Sequence, residues 1–183
     1  MKKFYALMLA CAFGFAGIAA HAQKDPMVGG AAMYPSKNIV QNAVNSRDHT
    51  TLVAAVKAAG LVDTLEGPGP FTVFAPTNEA FDKLPAGTVN TLVRPENKAE
   101  LTKILTYHVV AGRITTHGLR ERIKAGHGKA ELTTVEGGKL TVTMSHGKYM
   151  LTDAKGGTAT ITIPNVYQSN GVIQVINSVL MPG

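Results

Sequence analysis

Chemistry in this chain would have to come from histidine, serine or a run of cations. Histidines stand at 49, 108, 117, 127 and 146, with a sixth, His21, close to the N-terminus. No two of the five sit at the helical spacing of a zinc motif and no acidic cluster accompanies them, so no metal site is expected. Ser145 and His146 are neighbours, which in a strand sends them to opposite faces, and no Gly-x-Ser-x-Gly elbow is present to expose a nucleophile. Cys11 is the only cysteine. Thiolate catalysis, cysteine-ligated zinc and disulfide exchange are therefore excluded for any form of the chain lacking it. The reading is of a chain with no catalytic residues, no metal ligands and no cofactor.

The cations are more informative. Between Arg113 and Ala130 lie Arg113, Arg120, Arg122, Lys124 and Lys129 against a single acid, Glu121. Without Lys2 and Lys3, 16 Lys and Arg face 12 Asp and Glu, so this one stretch carries the whole surplus. It would attract acidic polysaccharide, lipopolysaccharide phosphate or anionic lipid. The alternative is an ordinary solvated face. Nucleic acid is not expected, because the stretch has no interleaved aromatics on which bases would stack.

The elements that position these residues follow from the hydrophobic pattern. Lys2 and Lys3 precede an almost unbroken apolar run from Phe4 to Ala20, and Ala20-His21-Ala22 offers small residues where a signal peptidase reads. Residues 1–22 are read as a secretory signal cleaved after Ala22, placing the product in a periplasm or outside the cell with no transmembrane segment. An uncleaved anchor and a lipidated Cys11 fit less well, since the run is short for a span and too few residues precede the cysteine. Residues 23–35, rich in Gly, Pro and small side chains, read as a flexible lead-in to one domain over 36–183.

Within that domain the stretch FTVFAPTNEAF, Phe71 to Phe81, organises the rest. Phe71 to Phe74 favour a strand, Pro76 ends it, Thr77 caps a helix, Glu79 sits in its first turn and Phe81 turns inward. Upstream, Ile39 to Val44 and Leu52 to Ala59 recur at helical spacing, the second ending at Gly60. Downstream, Pro95 opens a helix with Leu101, Ile104 and Leu105 inward, and Tyr107-His108-Val109-Val110 reads as a strand. From Glu131 onward ELTTV, LTVTMS, YMLT and TATITI predict an antiparallel meander. Val172 to Ile176, apolar almost throughout, predicts a strand covered on both faces.

FTVFAPTNEAFDKLP, LTYHVVAGRI and SNGVIQVINSVLMP, in that order, strongly resemble the two signature boxes and the Tyr-His stretch of the fasciclin domain. The similarity covers residues 36 to 182. It implies an α+β fold, a compact wedge of about seven strands with several short helices packed on it. It also implies a non-catalytic role in adhesion or extracellular recognition, as in a stand-alone secreted bacterial member. Tyr107 and His108 match the pair that the family ties to adhesion. In the last box many relatives carry His and Asp where this chain has Gln174 and Asn177, so a titrating role there gives way to bracing of the backbone.

The function expected is a secreted adhesion or matrix-interaction module that meets a cell-surface or matrix protein, or an acidic polysaccharide, through the basic stretch. The alternative is a soluble carrier of a small apolar or aromatic ligand in a crevice between helices and sheet, lined by Met144, Tyr149 and Met150.

Overall fold

The computed structural model describes residues 25–183. The expected signal at 1–22 lies outside them. The chain opens with a small antiparallel hairpin, β1 (Met27–Val28) and β2 (Ala31–Ala32). This differs from the expectation of order starting near Ser36. Gly29-Gly30 is not a loose linker but the two-residue turn of that hairpin, which inserts Val28 and Met33 into the core. Gly29 has φ +59°, and a Cβ there would collide with Ser46 Oγ and the Asp48 amide, so only glycine lets the turn lie this close.

Four helices and a strand follow. Helix α1 (Ile39–Ala43) starts at a capping box made by Asn38 and Gln41. Helix α2 (Thr50–Ala59) ends at left-handed Gly60, as its sequence predicts, and α3 (Val62–Glu66) leads to β3 (Phe71–Pro76). Thr77 then accepts a bond from the Ala80 amide at 3.3 Å and starts α4 (Asn78–Asp82), from which Phe81 is buried.

After α5 (Thr88–Leu92), a 3-10 turn at Pro95–Asn97 feeds α6 (Lys98–Tyr107). The strand expected at Tyr107 begins only at Val109, as β4 (Val109–Ala111), because Tyr107 and His108 continue the inward stripe of Ile104 at three and four residues. Helix α7 (Thr116–Ala125), capped by Thr115, precedes the meander: β5 (Lys129–Thr133), β6 (Lys139–Ser145), β7 (Lys148–Thr152) and β8 (Thr158–Gln168). Strand β8 runs on through Pro164 by means of register shifts on both sides of Ile163. The chain returns in β9 (Gly171–Ile176).

The seven strands order as β4-β3-β9-β8-β7-β6-β5, antiparallel except for β3 beside β9. The two signature stretches are thus adjacent in space, Phe71 opposite Gly171 and Pro76 opposite Ile176. A bridge from Val110 to Thr134 brings the outer strands together, so the sheet curls almost into a barrel. Both faces of β3 and β9 are covered. Val73, Ala75, Ile173 and Val175 join a core with the hairpin and helices α1, α2, α3 and α6, whereas Phe74 and Ile176 join a second core under α7 with the meander.

Candidate functional site

Tyr107 and His108 lie inside, Tyr107 fully buried and His108 2% exposed. The Tyr107 hydroxyl donates to the Lys139 carbonyl at 2.7 Å and accepts from the Ala154 amide at 3.0 Å, tying α6 to two hairpins of the meander. Burial pushes its phenol pKa up, partly opposed by the Ala154 amide. His108 caps α6. Its Nε2 faces the Leu180 amide at 3.0 Å, which can only donate, so Nε2 accepts and the ring proton sits on Nδ1, which donates to the Ile104 carbonyl at 2.9 Å. Burial lowers its pKa to about 4, so the ring is neutral at pH 7. Both side chains brace backbone and neither presents a surface to a partner.

The five cations do not form one patch. Arg113 leaves the β4–α7 loop toward the β8–β9 turn, where Nη2 donates to the Gln168 and Ser169 carbonyls at 3.0 and 3.3 Å. On α7, Leu119 and Ile123 point inward. At 100° per residue Arg120 and Lys124 share one flank, while Arg122 leaves about 160° away from Arg120 on the other. Glu121 lies with the first pair: Lys124 binds it at 3.0 Å and holds its carboxyl below the usual range, with His117 and Arg120 adding to the effect. Lys129 is on β5, on the same face as Glu131, which Lys139 pairs at 3.0 Å. The sequence run is therefore divided: Arg120 with Lys124 on one flank of α7, Arg122 on the other, and Arg113 turned toward the β8–β9 turn. Helical periodicity alone separates Arg120 from Arg122, a signal a linear charge count does not use.

Ser145 and His146 do meet, Oγ to Nδ1 at 2.9 Å, because His146 turns the β6–β7 hairpin with φ +50° instead of continuing the strand. Both are exposed, and among the described residues no carboxylate bonds the ring to orient it as a general base.

Gln174 and Asn177 are braces too. Gln174, buried in β9, accepts from the Asn165 amide at 2.9 Å and donates to the Ile114 carbonyl at 3.1 Å. Asn177 accepts from the Thr160 amide at 2.8 Å. Other braces went unread in the sequence. Asp153 gathers the amides of Lys155, Gly157 and Met181 at 2.9, 2.7 and 2.9 Å, closing the β7–β8 turn and pinning the C-terminal segment. An Asp opening Asp-Ala-Lys-Gly-Gly is a turn signal for the first two bonds, but nothing local announces the third. Asn170 links Ile39, Leu65 and Gly67, and buried Asn42 joins Tyr34 to Gln168.

The apolar space lies elsewhere than expected. Met144 is exposed, Met150 is half-buried, and the Tyr149 hydroxyl donates to the Thr116 carbonyl at 2.9 Å. Instead a cavity of about 80 Å³ opens between the hairpin, α1, α2 and α3 on one side and β3, β4 and β9 on the other, with Met33, Val56, Val73 and Ile173 on its walls. His49 reaches it from the 3-10 turn before α2. It is 3% exposed, Nδ1 lies 2.9 Å from Ser46 Oγ, and Nε2 has no hydrogen-bond partner. Burial lowers its pKa, offset in part by the Ala75 backbone, which lies near the ring without making a hydrogen bond to it.

A mixed seven-stranded sheet curled nearly shut, with the first and last signature stretches side by side, is the fold of fasciclin domains. A domain pair of the insect cell adhesion molecule fasciclin I superposes with a TM-score of 0.69 at 19% identity, over 79% of this chain and 51% of that one. The family model for the fasciclin domain matches residues 47–182, and the chain belongs to that family. Among its relatives, protein sll1483 of Synechocystis sp. is 46% identical over 161 residues, covering 87% of this chain and 82% of that protein. Immunogenic protein MPB70 of Mycobacterium bovis is 37% identical, over 76% of this chain and 66% of its own length. Transforming growth factor-beta-induced protein ig-h3 of Sus scrofa is 38% identical over 72% of this chain, which spans 17% of that protein. Among the described residues no helix is long and apolar enough to cross a membrane.

Proposed function

We propose that this is a non-catalytic recognition domain, exported to the periplasm or beyond by a signal cleaved after Ala22, that docks on a cell-surface or matrix protein through its exposed surface. The observation that carries the reading is the use made of the polar side chains at the signature stretches. Tyr107, His108, Gln174 and Asn177 all bind backbone groups of distant segments, so they hold a shape instead of offering a reactive centre. Membership of the fasciclin family and the fold shared with an insect cell adhesion molecule support the same reading.

Acidic polysaccharide as partner rests on a narrower base than the sequence implied. Arg120 and Lys124 are offset by Glu121, so the flank of α7 carries a small positive excess, and contact there would be weak and salt-sensitive. The test is retention of the mature domain on heparin and on isolated cell envelopes at two salt concentrations. Docking through surface shape predicts envelope capture that survives high salt and is indifferent to Arg120→Ser with Lys124→Ser. Loss of capture in that double variant would transfer the role to charge, and loss of all envelope binding by folded domain would overturn the reading.

A further inference from the structure

The cavity beside α1, α2 and α3 differs from a packing defect in one respect: a polar atom is left open on its wall. Six polar side chains border it, Ser46, His49, Lys57, Thr64, Thr106 and His108. Lys57 and Thr64 reach solvent, the Thr106 hydroxyl donates to the Thr102 carbonyl at 2.7 Å, and both His108 nitrogens are bonded. Ser46 is buried, and among the described residues its hydroxyl meets only His49 Nδ1. A buried hydroxyl hydrogen needs an acceptor, so Ser46 donates to Nδ1 and the ring proton sits on Nε2. That N–H is buried at the edge of an otherwise apolar space, with the Ala75 backbone near the ring but not in hydrogen-bonding geometry. Leaving it so is costly, and a bound acceptor would remove the cost.

We propose that this cavity is a binding site for a small neutral molecule with an apolar body of about two carbons and one oxygen acceptor, such as a short alcohol, held by a hydrogen bond from His49 Nε2. The size follows from the volume. At about 80 Å³ the space is roughly half that of an apolar cavity that admits benzene, so the ligand is smaller than an aromatic ring. Charge is excluded because a carboxylate or ammonium would enter apolar walls with only a neutral imidazole to meet it. The site lies on the opposite side of β3 and β9 from the α7 core, and ligand binding there is independent of how the surface docks.

The probe is ethanol, with chloroethane as the analogue of similar shape that accepts hydrogen bonds poorly. Both are titrated into the full chain while methyl resonances of Val56, Val73 and Ile173 and the His49 ring nitrogens are followed. A ligand of this size reaches about millimolar affinity. Expected are saturable shifts at those groups, with ethanol binding about three- to tenfold tighter than chloroethane. His49→Phe should erase that preference, and Val56→Ile, which adds a methylene to the cavity wall, should weaken both compounds about tenfold. Absence of saturation at these groups, a preference that persists in His49→Phe, or binding unchanged in Val56→Ile would each overturn the proposal. Should His49→Phe fail to fold, Val56→Ile still decides.

Discussion

His108 and His49 are both almost wholly buried, both depressed in pKa and both close to β3, yet they stand in opposite situations. His108 has a partner on each nitrogen, one carbonyl from its own helix and one amide 72 residues away. His49 has a partner on one nitrogen and an open N–H on the other. Burial alone therefore says little about what a histidine does. A filled set of bonds makes it a brace, and an unfilled one leaves an interior position able to receive something. The same contrast separates the two cores. Under α7 the polar groups Tyr107 and Tyr149 are bonded, whereas the core under α1 to α3 keeps a void.

The contrast breaks most visibly at His108. His108→Ala should destabilise by about 4 kcal/mol, since it creates a cavity and leaves the Leu180 amide and Ile104 carbonyl buried without partners. Urea unfolding with wild type at pH 7 measures it. Acid should act on the same residue. The folded pKa of about 4 lies below the unfolded value near 6.5, so the unfolded chain takes up the proton first. The stability from neutral His108 is complete above pH 6.5 and is lost as pH falls toward 4, by about 3 kcal/mol, with His49 contributing in the same direction. In His108→Gln that part of the slope should vanish, which unfolding curves at pH 7 and 4.5 would show.

Smaller effects sharpen the picture. Tyr107→Phe removes one donor and one acceptor without changing shape and should cost about 2 kcal/mol, read as a lowered Tm. Thr77→Ala should cost about 1 kcal/mol through loss of the cap on α4. His49→Phe should lie within about 1 kcal/mol of wild type, because deleting the open N–H offsets the loss of Nδ1 as acceptor for the buried Ser46 hydroxyl. A loss as large as that of His108→Ala would mean that the two histidines are alike after all.

Local chemistry made part of this architecture readable in advance. The strand, cap and helix between Phe71 and Phe81 are written in contiguous residues, and the apolar run from Val172 to Ile176 announces a strand covered on both faces. What was missed depends on distance. Tyr107 and His108 have β-favouring neighbours, but the inward stripe of α6 captures them, and the pairing of His108 with Leu180 is invisible to any local window. The Gly29-Gly30 turn reads as looseness until Val28 and Met33 are seen to have a core to enter. Pro164 signals a break, yet register shifts let β8 pass it. At the candidate site the run of cations was legible and its geometry was not, because α7 sends Arg122 away from Arg120 and Lys124.

The difference between the two histidines is open to one direct measurement. Long-range ¹H–¹⁵N spectra of the ring nitrogens, recorded from pH 8 to pH 4.5, report the tautomer and charge of each. The structure requires His108 to carry its proton on Nδ1 and to stay neutral well below pH 6, and His49 to carry its proton on Nε2. An Nε2-protonated His108, or a His108 that titrates near 6.5, would contradict the assignment of this residue as a buried brace.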